Sequence, residues 1–284
     1  MRWKAWIIVC LLPLLAACSA VRLSYGQGPT LAYWWLDNYA DFNAEQAPRV
    51  RAALADWFAW HRATQLPDYM QALTAMQALA ANPVTASQVC GTVDGWQRRA
   101  ERAFDRAVPA VAEQVRSLSL EQINHLEKRQ RVKQAELTAE YLQANPAERA
   151  KGALDRTLDR AESVYGPLDD AQRRLLAAGL VASPFSAERW LAERRQRQVD
   201  IVQSLRQWQA QRADADTVQA GLRRLALEVS RSPRADYQAY NQRLNGANCA
   251  LAAAVHNSTT PAQRQRAVDK LRGWEGDLRA LTEP

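Results

Sequence analysis

Short polar residues stand directly before proline at several points along this chain: Asn145-Pro146, Ser183-Pro184, Ser232-Pro233 and Thr260-Pro261. Such a pair opens a helix. The polar side chain caps the first free N–H groups, and a proline in the first turn has no N–H to leave unsatisfied. Between these openings apolar residues recur in steps of three and four. Val50, Leu54, Trp57, Phe58 and His61 share one helical face. Leu191, Ile201, Val202, Leu205 and Trp208 do the same, as do Val268, Leu271, Trp274, Leu278 and Leu281. Ser119 to Gln122 and Thr260 to Gln263 read as capping boxes, and Gly166-Pro167 reads as a stop. No stretch alternates with period two for long enough to be a strand. With only 11 Gly and 12 Pro in 284 residues, a sandwich or barrel with frequent turns is excluded. The pattern predicts an all-α protein, a single multi-helix bundle of about eight to ten helices.

The first residues read as an address. Arg2 and Lys4 precede an apolar run from Ala5 to Leu15, too short for a permanent span of about 20 apolar residues. The run ends Leu15-Ala16-Ala17-Cys18, which resembles a bacterial lipobox. The resemblance implies cleavage before Cys18 and acylation of that residue. Ser19 follows where an Asp would favour inner-membrane retention, so the outer membrane, on its periplasm-facing side, is the expected location. Residues 1–17 are then the signal peptide, 18–29 a lipidated tether, and 30–284 a helical periplasmic domain. Cleavage lowers the formal charge from +7 to +5. Export, rather than charge, argues against a nucleic-acid partner.

After cleavage two thiols remain besides the acylated one, Cys90 and Cys249. In an oxidising compartment an even pair is expected to form a disulfide, here closing a loop of about 160 residues. Neither belongs to a CxxC motif and the three histidines are scattered, so no metal or cofactor is expected.

Three segments together suggest a family. They are Tyr33-Trp34-Trp35-Leu36-Asp37 with Asn38-Tyr39-Ala40-Asp41-Phe42, then Trp60-His61-Arg62-Ala63-Thr64-Gln65-Leu66-Pro67, then residues 256–264 with 273–279. With the lipobox, the chain resembles proteobacterial lipoproteins of unknown function of the DUF6279 type, over essentially its whole length. The resemblance implies a lipid-anchored helical protein and carries no catalytic residues across.

Two local clusters stand out. Tyr33, Trp34, Trp35, Tyr39 and Phe42 crowd one short helix, and we read them as core rings in preference to a membrane-interface belt. Asp37 and Asp41 lie four apart on one helix face, with Arg49, Arg51, His61 and Arg62 close in sequence. As a site, Asp37, Asp41, His61 and Arg62 would offer acid–base or metal chemistry. The plainer reading is an ion-pair network that orders two helices. His125 sits in a charged run that reads as a solvated face, and the polar residues after His256 read as caps. Positive charge gathers late, at Arg194-Arg195-Gln196-Arg197 and Arg223-Arg224, a face suited to anionic envelope groups.

These readings favour a non-enzymatic module held to the membrane by its N-terminal lipid, binding or scaffolding an envelope protein or glycan. The alternative is an envelope hydrolase or metal-dependent enzyme that uses the Asp37/Asp41/His61 region. Cells fed radiolabelled palmitate should label the parent chain and leave Cys18→Ser unlabelled; label on the variant would refute acylation at Cys18.

Overall fold

The computed structural model describes residues 24–283. The expected signal peptide, Cys18 and Ser19 lie outside the described residues. Eleven α-helices and no strand occur among the described residues, one more helix than the upper end of the expectation. They are α1 Gly28–Ala40, α2 Gln46–Trp60, α3 Leu66–Ala80, α4 Ala86–Arg116, α5 Leu120–Tyr141 and α6 Pro146–Tyr165. Then follow α7 Asp170–Val181, α8 Ala187–Gln211, α9 Ala215–Ser230, α10 Ala235–Asn257 and α11 Pro261–Thr282. The region expected as tether up to residue 29 is structured earlier: a helical turn occupies 24–26, and α1 begins at Gly28.

Two of the proline openings hold as read. Asn145 caps α6 through Ala147 N–H, and Thr260 caps α11 through Gln263 N–H. The other two are displaced by neighbouring helices. Ser186, not Ser183, caps α8, while its own N–H donates to the Tyr240 hydroxyl at 2.8 Å. Helix α10 starts after Arg234 because that arginine is committed elsewhere: it donates to both oxygens of the buried Glu193, at 2.6 and 2.7 Å, and to Asp200 at 3.0 Å. Burial alone would raise the Glu193 carboxyl, but the bonds from Arg234 and Ser232 and the arginine charge outweigh it and hold the carboxyl below its ordinary value.

The centre of the bundle is the 31-residue helix α4, which packs against α2, α8, α9 and α10. Helix α11 returns from the end of the chain to lie along α3. The Cys90–Cys249 disulfide joins α4 to α10, with Cα atoms 5.5 Å apart and partners separated by 159 positions in sequence. In the chain-entropy account a loop of that length stabilises the fold by about 5 kcal/mol. One apolar cluster joins Ala112, Ile123, Val202, Leu205, Trp208 and Val218 from α4, α5, α8 and α9 with Leu118 from the turn between α4 and α5. A second joins Leu168, Leu176 and Val255, with Leu154 and Leu158 against it. Gly166 ends α6 at φ +77°, a conformation that glycine adopts without steric cost.

Helices α2 and α3 form one continuous helical run with a π-turn, His61–Gln65, between them. The cause is Pro67. It has no N–H for the carbonyl of residue 63, and its ring crowds that carbonyl. The backbone widens, and Leu66 N–H bonds back to His61 O instead.

Four helix starts are tied together by buried glutamines. Asn43 and Gln46 bond reciprocally through side chain and backbone, as do Ser119 and Gln122. The two amides then face each other: Gln122 Nε2 donates to Gln46 Oε1 at 2.7 Å and to the carbonyls of Ala40 and Asp41. Gln46 Nε2 donates to Ser117 O. The same device recurs with Asp169/Gln172 against Thr260/Gln263. Their amides exchange bonds at 2.8 and 3.0 Å and reach Ser258 O and Pro167 O. Replacing Gln122 with Leu strands the carbonyls of Ala40 and Asp41 and the N–H of Ser119. It should cost about 3 kcal/mol in urea unfolding, against less than about 0.5 kcal/mol for the exposed Gln196→Leu.

Candidate functional site

The structure distributes the four residues expected as a polar site. Asp37 and Asp41 end α1. Asp37 Oδ1 accepts the Phe42 N–H at 2.9 Å, and Asp41 takes the left-handed conformation, φ 50°, with its N–H on Asp37 O at 2.8 Å. Asp and Asn reach that region more readily than other non-glycine residues. No hydrogen bond, ion pair or ring contact joins either aspartate to His61 or to an arginine among the described residues. Arg51 lies over the Tyr33 ring at 3.5 Å, and Arg62 over the Tyr25 ring at 5.5 Å. Among the described residues no group of three or more His, Cys, Asp or Glu is placed to hold a metal ion.

His61 instead sits in an aromatic box at the π-turn. Its ring stacks on Trp57, centroids 4.7 Å apart. Nδ1 bonds to the Tyr25 hydroxyl at 2.8 Å and Nε2 to the Tyr69 hydroxyl at 3.3 Å. A neutral ring suits both tyrosines, accepting at one nitrogen and donating at the other. Burial holds the His61 pKa below its ordinary value. Tyr69 continues into an apolar hollow of about 370 Å³ with Leu73, Met76, Trp96, Trp274 and Leu278. His256 occupies a matching position at the other end of the chain. Its Nε2 meets the Asn82 carbonyl at 2.8 Å, so Nε2 carries the proton, and Nδ1 accepts from the Tyr165 hydroxyl at 3.0 Å.

The aromatic cluster of α1 corrects the expectation of core rings. Tyr33 is buried, but Trp34 and Trp35 are 60% and 63% exposed, and Leu31 is 47% exposed. Residues 31, 34 and 35 follow the i, i+3, i+4 rule and share the face opposite Tyr33. The late arginines are partly committed: Arg223 pairs with Asp105 at 2.6 Å, Arg224 with Glu228 at 2.8 Å, and Arg197 reaches Val229 O. His125, expected on a solvated face, is half-buried and meets Asn38 O at 3.1 Å.

A second hollow lies where the sequence indicated only a solvated helix. It is a groove of about 790 Å³ between α5 and α8. Ala135 and Ala139, four apart on α5, leave room that larger side chains would fill, and Val199 and Val202 face them from α8. Gln130 and Gln134 line the same groove, and each carries a buried Oε1 with no hydrogen-bond partner. Gln134 is 6% exposed and spends its amide N–H on Leu191 O. Glu127 holds one end by pairing with Arg206 at 2.7 Å and Arg131 at 3.3 Å, while Arg195 remains exposed at the side. The visible signal was the pair of alanines and the pair of glutamines at spacing four within a charged helix. Nothing local told which helix would stand opposite.

The His61 box has a pH consequence. Above about pH 6.5 the ring is neutral folded or unfolded. As pH falls through that unfolded value, the unfolded chain takes up a proton that the folded one resists, so stability is lost on acidification. The melting temperature should fall further between pH 7.5 and 5.5 for the parent than for His61→Gln, which keeps a donor and an acceptor for the two tyrosines; parallel curves would remove His61 as the cause.

No curated protein and no solved structure matches this chain. A family model does, over residues 38–228, about two thirds of the length. That span contains the whole π-turn segment and stops before residues 256–279, so the resemblance expected over the whole chain rests on this central part. By that match the chain belongs to DUF6279, a family of unknown function.

Proposed function

We propose that this protein is a non-enzymatic binding module, held on the periplasmic side of the outer membrane by acylated Cys18, whose α5/α8 groove takes up an envelope component. The observation that carries the reading is the pair of unpartnered oxygens on Gln130 and Gln134 in the groove wall. A buried acceptor without a partner costs about 1–3 kcal/mol, which a ligand donor recovers when the amide turns its oxygen into the groove. The alanine and valine surfaces beside these oxygens suit an extended chain rather than a compact ion. Arg195 supplies a positive charge at the side. A ligand with N–H or O–H donors and an anionic group fits this arrangement. Envelope protein segments and glycans both carry such groups, and the mass of a crosslinked product separates them.

The test is photo-crosslinking in cells. A crosslinker replacing Val199 should capture a defined envelope component. Ala135→Leu, which fills the groove, and Arg195→Glu should each lower that capture about tenfold, the effect of some 1.4 kcal/mol in binding. A crosslinker replacing Val181, 88% exposed on α7, serves as the control. Equal capture from both positions, or capture indifferent to Ala135→Leu, would refute the groove as the binding site.

A further inference from the structure

We infer that the Leu31/Trp34/Trp35 face of α1 lies in the interface of a phospholipid bilayer and sets the protein against the membrane surface. The geometric part of the argument rests on the proposed acylation of Cys18. Three side chains at i, i+3 and i+4 form one apolar face, each roughly half exposed or more. From residue 28 to 36 the helix has no charge at all, and α1 contains no Lys or Arg. Its opposite side is held down: Tyr33 is buried, and α1 packs on α2 and α5. The face is therefore fixed in direction. Two adjacent tryptophans beside a leucine, with Tyr39 against Trp35 at 5.2 Å, are side chains that partition to the headgroup level.

The position of the chain entry points to what covers this face. Tyr25 is pinned to the body by its bond to His61 at 2.8 Å and by edge contact with Phe58 at 5.5 Å. Gly28 lets α1 start directly against Phe58, where a Cβ would run into the ring. Tyr25 is only seven positions after Cys18, a reach of at most about 25 Å fully extended. From Tyr25 to Leu31 is a further ~10 Å along helical backbone. An acyl anchor at Cys18 therefore keeps the bilayer within reach of this face. Without basic residues on α1, apolar partition rather than attraction to anionic lipid drives the contact, so it should persist at high salt.

The experiment uses the chain isolated from cells with its own N-terminus, added to phosphatidylethanolamine/phosphatidylglycerol vesicles with brominated acyl chains. The parent should show tryptophan quenching that a Trp34→Ser/Trp35→Ser double variant largely loses, at low and high salt alike. Leu31→Ser keeps both rings and should weaken their quenching. Retained helicity and disulfide establish that the variants fold. Equal quenching in parent and variants would overturn the inference. So would a dimer in lipid-free solution that the double variant abolishes, because a second copy would then own the face. The mass of the N-terminal peptide reports acylation separately. An unmodified Cys18 with quenching that still depends on Trp34 and Trp35 would end the anchor reading and leave this one standing.

Discussion

Helix ends that are buried inside the bundle present carbonyl or N–H groups that water cannot reach, and the two glutamine clasps answer that constraint. A helix leaves four donors free at its start and four acceptors at its end. Gln122 closes the start of α5 with its oxygen and the end of α1 with its nitrogen. Gln172 does the same for the start of α7 and the end of α10. An amide is the side chain for this role because it donates and accepts at once and carries no charge to desolvate. Each clasp joins segments more than 70 residues apart, so a capping motif that looks local acts as a tertiary joint.

The two buried histidines follow the same accounting. Each ring has one partner on each nitrogen, and each ties a turn or helix end to a distant segment: Tyr25 to the π-turn, and Asn82 to α10 through His256. The aspartates that looked catalytic end a helix. Asp41 bends the chain with a left-handed backbone and offers its carbonyl to Gln122, while Asp37 bonds the Phe42 N–H. The accounting is not closed everywhere: the buried amide oxygens of Gln65, Gln114 and Gln143 lack a hydrogen-bond partner, as do those of Gln130 and Gln134. What sets the last two apart is that they share one groove wall, between α5 and α8.

Much of this was legible in the order of residues. Thr260 and Gln263 announce α11, Ser119 and Gln122 announce α5, and two cysteines left after the proposed cleavage form the disulfide found. These signals are local, or arithmetic, and need no knowledge of neighbours. The helix starts at Ser183 and Ser232 were misplaced by two or three residues because distant groups claimed the chain there: the Tyr240 hydroxyl in one case and Glu193 in the other. The crowded rings of α1 were assigned to the core because burial is the usual fate of tryptophan, yet two of the five point outward.

By itself, then, the sequence determined that the chain is helical, where several of its helices open, and which cysteines pair. Capping chemistry and the 3.6-residue period act within a few residues. The tertiary structure alone decided which side of α1 meets the body and which helix faces Ala135 and Ala139. It alone made Gln46 and Gln122 partners. Those outcomes depend on how helices are stacked, and the free energy of stacking is spread over contacts between residues that no local pattern connects.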